Sequence, residues 1–156
     1  MPKIAMNRKV PEFALPATGT QDTWSLKAAA GHKLVIFFYP KDMTSGCTLE
    51  AQGFRDQVGL FRKAGTAIVG VSRDSLASHE KFCLKEKLPY PLLSDGDEKV
   101  CRLFDVIQEK SLYGRKYMGI ERSTFLIDKE GYLRREWRKV KVTGHVEEVL
   151  EAAKSL

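Results

Sequence analysis

The sequence contains few cysteines and no long apolar segment. Its 156 residues include three cysteines, Cys47, Cys83 and Cys101, and no two of them form a Cys-x-x-Cys pair. This small, odd number argues against a framework held by disulfides. No apolar run approaches the roughly 20 residues needed to span a bilayer, and the first residues contain no apolar signal segment. We therefore expect a cytoplasmic protein with no membrane partner, in which any disulfide is catalytic rather than structural.

Signals for bound nucleotides and metals are also absent. The sequence contains no Gly-x-Gly-x-x-Gly and no Gly-Lys-Ser/Thr loop, so we expect no nucleotide site. His79 and Cys83 are spaced to share a helix face, but no third or fourth ligand follows at zinc-like spacing. We therefore expect no metal and no other cofactor.

The chain is basic, with a formal net charge of +6, and many basic residues surround Trp137. Basic side chains interleaved with an aromatic ring can bind single-stranded nucleic acid. A charged edge strand, which discourages pairing with another sheet, explains the same pattern. We favour the edge strand and expect no nucleic-acid partner. The basic residues that surround Trp137 are Arg134, Arg135, Arg138, Lys139 and Lys141.

The length and the hydrophobic pattern predict one α/β domain over residues 1–156, because a single domain typically takes roughly 100 to 200 residues. Apolar runs bounded by turn residues predict strands at 34–39, 66–72, 92–93, 124–128 and 132–140. Helical patterns are found at 47–64, 75–87, 98–104 and 146–156. A small hairpin is also predicted within residues 10–26. Strands that alternate with helices favour a three-layer α/β/α sandwich around a central mixed sheet.

Cys47 has the position that a reactive cysteine needs. It follows a predicted buried strand and a short turn, in the first turn of a predicted helix. The unpaired N–H groups and partial positive charge at a helix N-terminus stabilise a thiolate, which is the nucleophilic form. Thr44 can hydrogen-bond both the sulfur and an oxygen ligand, and Pro40 can shield the sulfur from water. An inert, buried cysteine is the alternative interpretation.

The segment at residues 38–50, Phe-Tyr-Pro-Lys-Asp-Met-Thr-Ser-Gly-Cys-Thr-Leu-Glu, resembles the active-site signature of peroxiredoxins. It contains their Pro-x-x-x-Thr-x-x-Cys pattern as Pro40, Thr44 and Cys47. The flanking Tyr-Pro-Lys-Asp and Gly-Cys-Thr-x-Glu are similar to the PrxQ branch, also called bacterioferritin comigratory protein. Further similar stretches lie at residues 54–56, 122–128 and 137–145. The resemblance covers nearly the whole chain.

This resemblance implies a thioredoxin-like fold with an N-terminal extension, and an enzyme that reduces hydrogen peroxide and organic hydroperoxides. It implies that Cys47 is the peroxidatic cysteine, that Pro40 and Thr44 shape its pocket, and that Arg122 faces the sulfur. The chemistry of arginine agrees, because a guanidinium is always charged and stabilises both a thiolate and a developing oxyanion. A solvated loop arginine is the alternative for Arg122.

The resemblance also bears on how the oxidised cysteine is recycled. Many PrxQ relatives carry a resolving cysteine five positions after the first, but here that residue is Gln52. Other members place it on the next helix, where Cys83 lies. We predict a Cys47–Cys83 disulfide in each turnover, with thioredoxin as the reductant and the protein as a monomer. Gly53 and Gly59 lower helix propensity and would ease the local opening that this disulfide requires.

Cys101 is interpreted as a buried structural cysteine, and Glu50 as a residue that caps the start of the first helix. A disulfide oxidoreductase on the same fold is a rival function, although it would need a thiol at the position of Glu50. A basic, non-enzymatic binding module is a second rival.

Overall fold

The structure is a computed structural model that describes residues 3–19 and 22–156. Its strands are β1 (Ala14–Pro16), β2 (Thr23–Ser25), β3 (Lys33–Phe38), β4 (Thr66–Ser72), β5 (Leu92–Ser94), β6 (Ile107–Leu112), β7 (Arg115–Ile120), β8 (Ser123–Ile127) and β9 (Leu133–Trp137). Its helices are α1 (Ser45–Asp56), α2 (Val58–Lys63), α3 (Leu76–Glu86), α4 (Lys99–Leu103) and α5 (His145–Ser155), with a 3-10 helix at Leu26–Ala29. Within the described ranges, no helix is long and apolar enough to cross a membrane.

The central sheet has five strands in the order β5-β4-β3-β8-β9. β3 and β4 run parallel, as do β4 and β5, whereas β8 is antiparallel to both β3 and β9. The prediction of a mixed sheet with an antiparallel hairpin at one edge is therefore confirmed. β1 and β2 pair as a separate antiparallel hairpin, as predicted within residues 10–26.

Each face of the sheet carries a hydrophobic core, and β3 contributes to both. Leu34, Ile36 and Phe38 pack on one face, beneath α4, the 3-10 helix and the N-terminal hairpin. Val35 and Phe37 pack on the opposite face, beneath α1, α2, α3 and α5. This alternation explains why the strand reads as a continuous apolar run, and it confirms the three-layer arrangement.

The single helix predicted at residues 47–64 is wrong, because α1 and α2 are separated at Gln57. Seven residues of a continuous helix rise about 10.5 Å, yet the rings of Phe54 and Phe61 have centroids only 5.8 Å apart. The break brings both rings into one buried cluster. The inward position predicted for Leu49 is also wrong, since that side chain is 60% exposed. Glu50 occupies the inward position instead.

The hairpin formed by β6 and β7 was not predicted from the sequence. Tyr113 and Gly114 form its turn, and both have positive φ, at 51° and 79°. Only the base of the hairpin is buried, at Ile107, Gly119 and Ile120, so most of its residues show no hydrophobic alternation. The turn also lacks the Asn-Gly or Asp-Gly pair that usually signals a two-residue hairpin.

Candidate active site

Cys47 lies in the first turn of α1 and is 2% exposed. β3 ends at Phe38, and a short loop leads from it to Thr44, the residue that precedes the helix. The first intrahelical bond runs from the N–H of Thr48 to the carbonyl oxygen of Thr44, at 2.9 Å. Cys47 is therefore close to the partial positive charge of the helix N-terminus, as predicted from its sequence position.

Arg122 brings a fixed positive charge to the sulfur. Its Nη2 donates a hydrogen bond to Cys47 Sγ at 3.3 Å. The pairing of Phe38 with Ser123 in neighbouring strands places Arg122 beside the loop that follows β3. Burial lowers the pKa of Arg122, but Glu50 and Cys47 together raise it above its usual value. The guanidinium thus stays charged and stabilises negative charge on the sulfur.

Gly46 leaves room for this contact. A Cβ atom at residue 46 would lie 3.2 Å from Arg122 Nη2. Such a separation is tighter than ordinary van der Waals contact, so a side chain here would press on the nitrogen that binds Cys47. The glycine before the cysteine therefore allows the guanidinium to reach the sulfur.

Glu50 was predicted to cap the start of α1, but within the described ranges this side chain makes no capping bond. It is fully buried, and its Oε1 accepts a hydrogen bond from Arg122 Nη1 at 2.7 Å. The other oxygen, Oε2, has no hydrogen-bond partner within the described ranges. Burial raises the pKa of Glu50 to about 7, against the lowering effect of Arg122. Glu50 holds one arm of the guanidinium and leaves the other for Cys47.

Glu50 could have been recognised from the inward stripe of α1. The buried residues of this helix are Cys47, Glu50, Ala51 and Phe54, which follow the i, i+3, i+4, i+7 spacing of one helix face. A carboxylate on such a stripe needs a cationic partner. Arg122, already predicted to face Cys47 on the same stripe, was the available cation. The thiol that a disulfide oxidoreductase would need at this position is absent.

Thr44 and Pro40 lie in the loop before Cys47. The hydroxyl of Thr44 donates to the carbonyl oxygen of Lys41 at 2.8 Å, and the side chain is exposed. This leaves the lone pairs of its oxygen available to a ligand. Pro40 is half-buried. Among the described residues, neither makes a hydrogen bond to Cys47, and their roles in the pocket stay predictions.

Cys83 lies on α3 and is half-buried. All three cysteines are free thiols, so Cys83 and Cys47 are not joined by a disulfide. Its Sγ is 3.5 Å from Thr18 Oγ1, and burial raises the pKa of the thiol. The side chain lines a cleft of about 400 Å³ together with Thr18, Trp24, Leu88 and Tyr90. In this arrangement Cys83 is not bonded to Cys47, so a disulfide between them requires movement.

Cys101 lies on α4 and is completely buried in the core on the other face of the sheet. Its main-chain N–H donates to Asp95 Oδ2 at 2.6 Å, and burial raises the pKa of its thiol far above the usual value. A thiol that stays protonated is a poor nucleophile. This environment agrees with the structural role predicted for Cys101.

The sequence matches the AhpC/TSA family over residues 6–136. Peroxiredoxin Bcp of Xanthomonas campestris pv. campestris is 56% identical over 146 residues, which cover 92% of this chain and 90% of that protein. Peroxiredoxin Bcp of Bacillus subtilis is 48% identical over 153 residues, which cover 98% and 97%. The chain therefore belongs to the AhpC/TSA family.

Solved structures define its type within that family. Peroxiredoxin Q from Xanthomonas campestris matches with a TM-score of 0.87 and 53% identity, covering 92% of this chain and 90% of that one. A mutant of PrxQ from Xylella fastidiosa matches with a TM-score of 0.91 and 38% identity, covering 97% and 96%. The protein is a peroxiredoxin of the Bcp or PrxQ type, and both the predicted peroxidase function and the thioredoxin-like fold are confirmed.

Proposed function

We propose that Cys47 of this peroxiredoxin reduces hydrogen peroxide and organic hydroperoxides, that Cys83 resolves the oxidised cysteine, and that thioredoxin restores both thiols. The observation that carries the proposal is the 3.3 Å contact between Arg122 Nη2 and Cys47 Sγ at the start of α1. It combines a nucleophile with a permanent charge in a site that is largely closed to water. A structure of the Xanthomonas campestris relative is described as giving insights into its alkyl peroxide reduction activity, which supports organic hydroperoxides as substrates.

In the first step the Cys47 thiolate attacks one oxygen of the peroxide. A sulfur–oxygen bond forms while the O–O bond breaks, and the leaving oxygen takes a proton to become water or an alcohol. Arg122 can stabilise the negative charge that develops on that oxygen. The free lone pairs of Thr44 Oγ1 can accept a hydrogen bond from the peroxide, and Pro40 limits the entry of water. Cys47 is left as a sulfenic acid.

In the second step the thiol of Cys83 attacks the Cys47 sulfenic acid. A disulfide forms and one water molecule leaves. The two Cα atoms must approach within about 7 Å for this bond. Relatives from Xanthomonas campestris have been solved with either of two cysteines replaced by serine, and those cysteines are the same distance apart in sequence as Cys47 and Cys83. That spacing supports Cys83 as the resolving residue.

Two thiols of thioredoxin would then reduce the disulfide and become oxidised themselves. We further propose that the protein works as a monomer in the cytoplasm, where the thioredoxin system keeps thiols reduced. Peroxide turnover coupled to thioredoxin and its reductase should exceed turnover coupled to glutaredoxin or to glutathione alone. Size-exclusion chromatography of the reduced and oxidised protein tests the monomer.

The assignment of the cysteines is tested by stopped-flow consumption of peroxide. Cys47→Ser should abolish turnover, because no other thiol in the site is activated. Cys83→Ser should react once and then stall or over-oxidise unless an external thiol is added. Cys101→Ala serves as the control and should retain turnover. Full activity of Cys47→Ser would overturn the proposal.

The disulfide is tested separately by mass mapping of the peroxide-treated protein. We expect a peptide link between Cys47 and Cys83 that disappears in either serine variant. A link from Cys47 to Cys101, or only links between chains, would contradict the resolving role of Cys83 while leaving the peroxidase assignment intact.

A further inference from the structure

A group of buried polar side chains beside the active-site loop takes no part in the steps described so far. At its centre is the carboxylate of Asp42, which lies in the loop before Cys47 and is 4% exposed. Its Oδ1 accepts a hydrogen bond from the Tyr39 hydroxyl at 2.6 Å, and its Oδ2 accepts from Ser78 Oγ at 2.8 Å. Oδ2 also lies 2.7 Å from His79 Nδ1. Ser78 and His79 belong to α3, so this loop is bound to the helix that carries the proposed resolving thiol.

The hydrogen bonds of His79 restrict where its protons can be. Nε2 lies 2.9 Å from the main-chain carbonyl oxygen of Leu93, which can only accept, so Nε2 carries a proton. Nδ1 and Asp42 Oδ2 then hold one proton between them. Whether the proton is on the nitrogen or the oxygen, the pair has no net charge. The His79 side chain is 0% exposed and that of Asp42 is 1% exposed, so water cannot replace either partner.

Asp74 ties the same loop to the central sheet. Its Oδ2 accepts from the main-chain N–H of Asp42 at 2.9 Å and from Ser72 Oγ at 2.6 Å. Ser72 ends β4, and Leu93, the partner of His79, lies in the neighbouring β5. The loop, the first half of α3 and two parallel strands therefore form one hydrogen-bonded unit. These bonds account for the close grouping of carboxylates and imidazole without a metal ion.

α3 is attached to the Cys47 side of the molecule at a second place, near its C-terminal end. Gln52 Nε2 donates to Glu86 Oε1 at 2.7 Å, and Arg55 Nη1 donates to the Glu86 carbonyl oxygen at 2.8 Å. Both contacts are only partly buried, so water can satisfy these groups when they part. Separation of the buried Asp42–His79 pair takes the carboxylate away from His79 Nδ1 at a place that water does not reach, which is far less favourable. The pair is therefore the stronger attachment of α3.

We infer that Asp42 and His79 form a positioning pair that holds α3 in the arrangement in which Cys47 attacks peroxide, and that the pair separates when Cys83 reaches Cys47. This inference rests on the proposed resolving role of Cys83. His79 stands one helical turn before Cys83, so unwinding of that turn removes the support that keeps the imidazole beside Asp42. The pair thus favours peroxide attack and slows the formation of the disulfide.

Removing the imidazole should change the two chemical steps in opposite directions. In His79→Ala the loop before Cys47 is less well held, and the rate constant for peroxide attack should fall severalfold. Formation of the Cys47–Cys83 disulfide should become faster by about tenfold, in line with the loss of a buried hydrogen bond. At a given peroxide concentration, less Cys47 should reach the sulfinic acid, because the sulfenic acid is resolved sooner. Rapid quenching with a thiol-alkylating reagent, followed by mass spectrometry, measures each species.

Two further variants separate positioning from simple loss of stability. Asp42→Asn keeps the connections without charge, because its amide oxygen can accept from Tyr39 while its amide nitrogen donates to neutral His79 and to the Ser78 hydroxyl, which turns to accept. In Asp42→Asn, the rate constants for peroxide attack and for disulfide formation should both be close to those of the unaltered protein. Gln52→Ala cuts the exposed attachment of the same helix and should leave the ratio of the two rates unchanged. A purely structural role for His79 would lower thermal stability without changing that ratio.

Amide hydrogen exchange of the unaltered protein supplies a test that needs no variant. Amides between His79 and Cys83 should exchange faster in the disulfide form than in the dithiol form, and unchanged protection there would overturn the inference. Should peroxide treatment produce no Cys47–Cys83 link, the proposed resolving role of Cys83 fails instead. Should the link form but no faster in folded His79→Ala, only the positioning role of the pair fails.

Discussion

Arg122 divides its two terminal nitrogens between a sulfur and a carboxylate. Nη2 binds Cys47 Sγ and Nη1 binds Glu50 Oε1. A guanidinium is suited to this task because its donors are fixed in one plane. Glu50 orients the group, but its own burial is only partly compensated, since Oε2 has no partner within the described ranges. The buried carboxyl group should therefore be visible in the pH dependence of stability.

Glu50→Gln should gain stability relative to the unaltered protein as the pH rises. The pKa of Glu50 is raised from 4.5 to about 7, mainly by burial. A pKa raised on folding contributes stability that is present below the unfolded value and is lost as the pH rises through the folded value. At about 1.4 kcal/mol per pKa unit, this loss is at most roughly 3 to 4 kcal/mol. Glutamine does not titrate, so the Glu50→Gln variant does not undergo this loss of stability.

Urea unfolding between about pH 5 and pH 8 measures this difference. Glu151→Gln, on the exposed face of α5, is the control and should differ little from the unaltered protein across the same range. A constant difference in unfolding free energy between Glu50→Gln and the unaltered protein would contradict the buried, titrating carboxyl group.

α1 is positioned by close contact with α5. An ideal Cβ on Gly53 would lie 2.8 Å from Val146 Cγ2, whereas one on Gly59 would meet no atom within 4 Å. From the sequence, both glycines were predicted to weaken the helix. Their surroundings separate them, because Gly53 allows two helices to approach and Gly59 has open space beside it.

Alanine substitutions at the two glycines should therefore have opposite effects. Gly53→Ala forces α1 and α5 apart and should destabilise the protein by about 1–3 kcal/mol, as overpacking does. Gly59→Ala should stabilise α2 by up to about 1 kcal/mol, because alanine has the higher helix propensity. Denaturant unfolding of both variants checks the prediction. The same sign for both would show that helix propensity, and not contact with Val146, decides the outcome.

The five-stranded central sheet supports a hydrophobic core on each of its faces. Trp24 packs against the core beneath α4 and the N-terminal hairpin, and Trp137 against the core beneath α1, α2, α3 and α5. β3 and β8 contribute buried residues to both cores. Strands shared in this way couple the two cores, and we propose that the chain is a single cooperative domain.

The two tryptophans of the chain allow each core to be followed separately. Trp24→Phe leaves fluorescence from one core and Trp137→Phe leaves it from the other. In each variant the fluorescence transition should coincide with the loss of helix measured by circular dichroism. A fluorescence midpoint that differs from the circular dichroism midpoint in either variant would indicate that the two sides of the sheet unfold independently.

Elements with a buried, regular pattern could be predicted from the sequence. β3, β4 and β8 were found because a strand covered on both faces is a continuous apolar run. The β6–β7 hairpin was missed because most of its residues are exposed, so its strands show no hydrophobic alternation. The break at Gln57 was missed because the hydrophobic positions on both sides of it still fit a helical period.

The position of Cys47 in the first turn of a helix, after a buried strand and a short loop, could be predicted from the sequence because these features depend on neighbouring residues. The resemblance to peroxiredoxins, not any local pattern, singled out Arg122. That Glu50 shares the guanidinium of Arg122, and that Asp42 contacts His79 of α3, becomes visible only in the folded protein. The physical reason is that these contacts join residues far apart in the chain, and they depend on the register of β3 with β8 and on the packing of α3 against the loop before α1.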